Sequence, residues 1–536
     1  MSDETLRSSG RVSAAVALSR VLGLVRMSLF SRLVGAGALA DAFSVAFRIP
    51  NLLRDLLAEG ALSSAFVPTF TAELVNEDKS QAELLARLTT GAVLVVSGGL
   101  TLLGLLFAEE LVLAITEGWS AEKVAFTAEL TRIMMPILTF VSLGAVWMGM
   151  LNSHRRFIVP ALAPALFNLV SIAVGVFLLI AGLPGPEAVM AWSIGTLVAG
   201  ACQCGLQLPV LARMGYRVWP KIRGLTKHPG VRRIARLMLP AVAGVAAVQL
   251  NIFVNTRFAA SLGDGPVAQI EYAFRIFFLP IGMFGVALAT VTTTSVSEQA
   301  ARGDRDALVA RTREGVRAVW LLTAASATGL AVLAGPVVEL LYEGGAFSHD
   351  DTLAVSTILL AYLGGLVPYS MVKVVAPAFY GIDRPRLPLL ASAAAVTVNI
   401  LFNALTYRQL GAPGLALGTS FAAIVNALIL RIAFRRVIGP IGQVGQWREL
   451  GWVLLASGVM AGGVGAGLWG FGLASEWLLS EFSGLASYRP LLLIVALFLL
   501  VSLGFGLYTS ILKRAGFPGA AQLAGLPAAL FRRIRR

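Results

Sequence analysis

Charge is what this 536-residue sequence has least of: Asp, Glu, Lys and Arg make up 13% of it, against 57% apolar residues. A soluble protein carries about a quarter charged residues, so too little charge is present to coat this much apolar chain in water. Length alone would allow roughly three or four soluble domains. A mean hydropathy of +0.79 excludes that reading. The sequence describes a polytopic membrane protein.

Cysteine and histidine are nearly missing. Cys202 and Cys204 cannot make a disulfide framework and lie in an apolar stretch, as buried free thiols do. His154, His228 and His349 are scattered, with no zinc-ligand spacing and no His/Cys nucleophile arrangement. No GxxxxGK(S/T) phosphate loop occurs, which argues against an ATP-driven pump within this chain. The opening MSDETLRSSGR has early acids and no signal-peptide pattern, and reads as an uncleaved cytoplasmic tail. The formal net charge of +14 does not indicate nucleic acid, because the basic residues sit in short loops between apolar spans.

What is there is span after span. A bilayer core needs about 20 apolar residues in a helix. Fourteen such spans are expected, near 11–34, 41–75, 84–108, 122–152, 158–182, 187–212 and 232–262, then 267–297, 314–342, 352–380, 386–406, 413–434, 449–473 and 488–512. The second is too long for one straight helix and contains Pro50 and Gly60, so a break is expected there. Broken backbone is tolerated in a membrane where it lines a cavity.

Loop charges alternate. Arg213, Arg217, Lys221, Arg223, Lys227, Arg232, Arg233 and Arg236 crowd one connection, and Arg155, Arg156, Arg302, Arg305, Arg384 and Arg435 fall on the same side. The intervening loops hold Glu109, Glu110, Glu117, Glu343, Asp350 and Asp351. The loop at 73–83, with Glu73, Glu77 and Asp78, fits this scheme poorly. The positive-inside rule then puts both termini of a multi-pass protein in the cytoplasm. The tail Phe531-Arg-Arg-Ile-Arg-Arg536 suits a cytoplasmic end near anionic lipid.

A repeat runs through the chain. Ala46-Phe-Arg-Ile49 returns as Ala273-Phe-Arg-Ile276 after 227 residues, and Gly182-Leu-Pro-Gly185 as Gly411-Ala-Pro-Gly414 after 229. Gly195-Thr196 answers Gly418-Thr419, and Asn168 roughly answers Asn399. A six-span unit keeps its orientation when repeated, so two parallel six-helix lobes are expected, plus two extra C-terminal helices. The expected divisions are 1–220, 221–440, 441–515 for the extra helices, and a basic cytoplasmic tail at 516–536.

Ionisable side chains inside spans default to a functional hypothesis. The first span carries Arg20 and Arg26. At 1.5 Å per residue these lie roughly 14 and 22 Å from residue 11, and six residues rotate a helix by about 120°, so they do not share a face. Arg32 sits near the outer edge as an anchor. The second span adds Asp41, Arg48, Arg54, Asp55 and Glu59, with Asp41 and Arg48 on one helical face. Arg257 lies in the seventh span, and Arg275, the repeat partner of Arg48, in the eighth with Glu271 one turn before it. Arginines outnumber carboxylates, and a guanidinium offers planar paired donors suited to phosphate. The predicted ligand is anionic, a phosphate or pyrophosphate.

Several motifs resemble the MurJ (MviN) lipid II flippase family. They are Ser19-Arg-Val-Leu-Gly-Leu-Val-Arg26, Ala40-Asp-Ala-Phe43, Pro50-Asn-Leu-Leu-Arg54 and Ala58-Glu-Gly60, then Leu151-Asn-Ser153, Val159-Pro-Ala-Leu-Ala-Pro164, Tyr272-Ala-Phe-Arg275 and Leu341-Tyr-Glu-Gly-Gly-Ala-Phe347. The resemblance runs in order from about residue 10 to 430. It implies the fold of the multidrug/oligosaccharidyl-lipid/polysaccharide exporter superfamily, and a substrate, lipid II, that is an undecaprenyl-pyrophosphate-linked disaccharide pentapeptide. It implies that Arg20, Arg26, Arg54, Arg275 and Asp41 are essential, and that the two extra helices form a groove for the lipid tail. Arg48, Arg257 and Glu59 join the candidate substrate-binding set on charge and position. No catalytic constellation appears, so the expectation is a transporter, not an enzyme, acting as a monomer without a cofactor.

Some relatives hold sodium in the seventh, eleventh and twelfth spans, and the matching positions are Asn255, Asn399, Asn403 and Thr419. Two positions that can carry Asp are Asn in this chain, so a candidate sodium site would lack a neutralising charge and sodium coupling is expected to be weak or absent. The nearest rival function is a flippase for another polyprenyl-pyrophosphate-linked oligosaccharide, and a rival of another class is a membrane scaffold recruiting envelope-synthesis proteins.

Overall fold

The computed structural model describes residues 3–57, 62–76, 79–183, 185–441, 446–481, 489–520 and 525. Every described element is helical, apart from one isolated bridge between Gly344 and Phe347. The chain divides into two compact units, Met1–Ala268 with Tyr342–Ser348, and Gln269–Leu341 with His349–Arg536.

The first unit holds α1 (Asp3–Val34), α2 (Ala38–Leu57), α3 (Ser63–Asn76), α4 (Lys79–Leu106), α5 (Ala108–Ile115), α6 (Ala121–Met134) and α7 (Pro136–Ser153). It continues with α8 (Ile158–Ala181), α9 (Gly185–Gly205), α10 (Leu208–Arg213) and α11 (Pro229–Ala260). The break expected in the second span does not fall at Pro50, because α2 runs through that residue to Leu57, and Gly60 lies outside the described residues. A proline removes one backbone donor, and tight packing carries the helix past the gap: Ile49 and Pro50 are both buried. In α11 the segments Pro229–Val242 and Gly244–Ala260 meet at 44°, just after Pro240.

The connection from α10 to α11 is strapped to this unit. Lys221 N–H donates to Arg87 O at 3.0 Å, Arg87 Nε to Trp219 O at 3.2 Å, and Lys79 Nζ to Met214 O at 3.0 Å. Tyr216 is buried against Phe70 and lies 3.0 Å from His154 Nε2. Met150 O can only accept from His154 Nδ1, 2.9 Å away, which leaves Nε2 to accept from the phenol. Burial and the nearby Glu83 carboxylate push the Tyr216 phenol above its ordinary pKa, so it stays a donor. Gly91 lets the strap reach α4, since a Cβ there would overlap the backbone carbonyl of Lys221. Gly91→Ala is therefore expected to cost about 1–3 kcal/mol and to lower the melting temperature of the purified protein. An unchanged melting temperature would mean that the strap is not held as described.

The second unit contains most of α12 (Pro266–Pro280), a wide π turn at Ile281–Gly285, α13 (Val286–Ala301), α14 (Arg305–Val332) and α15 (Ala334–Tyr342). Then follow α16 (His349–Leu363), α17 (Leu366–Gly381), α18 (Arg386–Val437), α19 (Gln446–Glu481) and α20 (Arg489–Arg514). The 52-residue α18 is really two helices meeting at Gly411, whose φ of 61° and ψ of −150° no helix contains. Gly182, its counterpart in the sequence repeat, also has a φ of 61° and ends α8. Both turns need the left-handed region that glycine enters without steric cost. α19 and α20 pack closely: Gly463, Gly467 and Gly504 abut Leu507, Leu500 and Val464, the small-residue packing that joins helices where water supplies no drive. Tyr508 of α20 donates to Leu321 O of α14 at 3.0 Å, which ties the pair into this unit.

Ten described helices are long and apolar enough to cross a membrane, or up to twelve with α11 and the bent pair α16–α17 each taken as one span.

Candidate substrate-binding site

On α1 the two arginines separate as the helical rotation requires. Arg20 is exposed, whereas Arg26 is 8% exposed and sits over the Phe167 ring of α8, 5.3 Å from its centroid. About two turns earlier, Asn168 Nδ2 donates to Ser19 O at 2.9 Å, so α8 also holds α1 below the seat of Arg26. A cation over a ring is attracted by the ring quadrupole, which helps hold α1 against α8.

On α2 the charges reach partners on other helices. Arg48 Nη1 donates to Thr256 Oγ1 of α11 at 2.8 Å. Arg54 grips its neighbour Asp55, with Nε at 3.1 Å and Nη2 at 2.8 Å from the same carboxylate oxygen. The other oxygen of Asp55 accepts from Gln249 Nε2 of α11 at 3.2 Å. The structure thus brings Arg48 and Asp55 onto one seam between α2 and α11, with Arg54 held beside it through Asp55. Glu59 lies outside the described residues.

Asp41, at the start of α2, is fully buried. Its oxygens accept from Gly265 N–H at 2.6 Å and Ala268 N–H at 2.8 Å, so it caps the first turn of α12 from another helix. Helix N-termini carry unsatisfied donors and partial positive charge, which a carboxylate satisfies on both counts. Lys123 of α6 completes the cluster, 3.4 Å from Asp41, 2.6 Å from Asp264, and 3.6 Å above the Trp119 ring. Arg257 is drawn to the same end of α11, where it donates to Ala114 O at 2.8 Å and Glu117 at 2.6 Å. The Arg257–Glu117 pair is largely exposed, so it adds little stability by itself. Arg257 lies eight residues beyond Gln249 on α11, about 12 Å further along the axis.

In the second unit Arg275 lies 3.9 Å from Glu271, the one-turn pairing expected from their spacing. Three residues on, Phe278 carries the Lys373 ammonium at 5.9 Å from its ring, and Tyr369 the same ammonium at 5.3 Å. Lys373, like Lys123 and Gln249, escapes sequence reasoning, because only the fold says which rings and carboxylates stand near it.

The four candidate sodium positions offer neutral oxygens. Asn399 and Asn403 are buried one turn apart, with Asn403 Nδ2 3.5 Å from Asn399 Oδ1, and Thr419 Oγ1 donates to Leu415 O. Asn255 belongs to the first compact unit. Among the described residues no group of three His, Cys, Asp or Glu could hold a metal ion. A buried sodium ion would find no formal negative charge in this donor set, which therefore fits it poorly.

Solved structures share this fold. A multidrug resistance MATE family transporter of the MOP superfamily, solved in an inward-facing conformation, superposes with a TM-score of 0.67 at 18% identity, over 78% of this chain and 94% of that one. A lipid II flippase MurJ solved in an inward closed conformation matches further, with a TM-score of 0.75 at 24% identity over 94% of this chain and 99% of that one. The family model for lipid II flippase MurJ matches residues 30–486. The lipid II flippase MurJ of Burkholderia cenocepacia is 35% identical over 434 residues, covering 79% of this chain and 83% of that protein. A probable lipid II flippase MurJ of Vibrio cholerae is 34% identical over 439 residues, covering 80% and 83%. The chain belongs to the MurJ family of lipid II flippases.

Proposed function

We propose that this protein carries lipid II from the inner to the outer leaflet of the cytoplasmic membrane by alternating access, for peptidoglycan synthesis, with span arginines binding the pyrophosphate. Family membership supports the substrate. The observation that carries the binding chemistry is Arg26, a guanidinium 8% exposed within a membrane-spanning helix. An ionisable side chain inside a span marks a substrate or ion path by default, and a guanidinium suits phosphate. Arg20, Arg54 and Arg275 join it as pyrophosphate ligands, Arg48 and Arg257 line the path, and Asp41 and Glu59 balance the charge.

A fourteen-span topology with two parallel six-helix lobes, both termini cytoplasmic, is part of this reading. Taking each bent pair as one crossing gives twelve. The turn at Gly411 divides one of those in two, and α2 with α3 supplies the remaining crossing. The α19–α20 pair would hold the lipid tail. Transport is by a monomer, without covalent chemistry and with weak or no sodium coupling, which the neutral donor set at Asn255, Asn399, Asn403 and Thr419 supports. Surplus positive charge on the span arginines would oppose closure and the pyrophosphate would relieve it, so loading would drive the rocking step.

Purified protein in nanodiscs should bind lipid II, and inorganic pyrophosphate should compete, increasingly well as salt is lowered. Lipid II binding that ignores both pyrophosphate and salt would exclude the arginines as its main ligands.

A further inference from the structure

Two side-chain bonds set the register of α2 against α11. Arg48 meets Thr256 and Asp55 meets Gln249. Seven residues separate Arg48 from Asp55 on α2 and Gln249 from Thr256 on α11, in opposite order, so the two helices run antiparallel along one seam. The α11 side of this seam is closed to water, since Gln249 is 8% exposed and Thr256 is 3% exposed.

The Gln249 contact has a fixed direction. A carboxylate only accepts, so the amide must turn its nitrogen to Asp55 Oδ2, and flipping it would set oxygen against oxygen. Asp55 Oδ2 is thereby held, which aims Oδ1 at Arg54, where it takes both Nε and Nη2. Two bonds to one edge of a planar guanidinium fix its plane as well as its position. A surface arginine would have to give up much rotamer freedom on binding an anion. Here that ordering is built in beforehand, the general route by which preorganisation raises affinity.

We propose that Gln249 is a positioning residue for Arg54, acting through Asp55, and that the chain Gln249–Asp55–Arg54 presets the guanidinium for a diphosphate. This rests on the reading that Arg54 binds the pyrophosphate of the substrate. Gln249 itself touches no substrate in this scheme, and its effect passes entirely through the arginine.

The test is the affinity of the full chain in nanodiscs for undecaprenyl pyrophosphate, compared across Gln249→Leu, Asp55→Asn, Arg54→Ala and the pairwise combinations with Arg54→Ala. Arg54→Ala should weaken binding by about 10- to 100-fold, as expected for hydrogen bonds to a charged group. Gln249→Leu and Asp55→Asn should each weaken it by about three- to tenfold, and neither should weaken it further once Arg54 is alanine. Asp55→Asn keeps the side-chain shape, so it carries the test if Gln249→Leu fails to fold. Full-strength binding by folded Gln249→Leu, or the same loss on top of Arg54→Ala, would overturn the positioning role. If Arg54→Ala alone binds normally, the diphosphate assignment of that arginine falls, and this proposal falls with it.

Discussion

Arg26→Ala should lower lipid II transport by at least about 100-fold, and Arg26→Lys should restore only a small part of it. The structure allows two roles for this side chain. Stacked over Phe167 at 5.3 Å, the cation helps pack α1 on α8. A lysine can keep that attraction to the ring. What lysine cannot supply is the planar fork that grips a phosphate with two parallel bonds. Hydrogen bonds to charged groups are worth about 1.5–3 kcal/mol each, so losing the fork costs roughly one to two powers of ten or more. If Arg26→Lys transports at the full rate while Arg26→Ala does not, the residue is a structural clamp and phosphate recognition lies elsewhere.

Asp41→Ala should be nearly as damaging, but through the fold. This carboxylate is fully buried, caps α12 through Gly265 and Ala268, and faces Lys123. Removing it strands two backbone donors and part of the charge on the lysine, and breaking a buried pair in this way costs about 3–5 kcal/mol. Lys123→Ala should cost far less, since the two backbone bonds to Asp41 survive it. A thermal melt of both variants measures the order. Equal destabilisation would make the ion pair, not the cap, the main tie between α2 and the start of α12.

Much of this was legible in the sequence because it depends on composition and local spacing. Apolar runs gave an all-helical chain with many candidate spans, six residues between Arg20 and Arg26 gave their separation in burial, and one turn gave Glu271 its place beside Arg275. The matched glycines at 182 and 411 both take positive φ, as a repeated turn would require. Tertiary partners were not legible. Nothing in the local pattern assigns Lys123 to Asp41 and Asp264, because 82 and 141 residues separate them in the chain. Gln249 looks like any polar residue in an apolar helix until its 3.2 Å bond to Asp55 is seen. Pro50 misled for the same reason: the rule about helix breaking is local, and the packing around Ile49 and Pro50 is not.

A flippase decides which side of the membrane lipid II reaches. The most direct measurement is made in cells of the source bacterium depleted of this protein, with a lipid II-cleaving enzyme added that acts only from outside. The account predicts that lipid II accumulates but stays protected from cleavage, and that a wild-type copy restores access while an Arg26→Ala copy does not. Lipid II that remains fully cleavable in depleted cells, with no second flippase present, would contradict it.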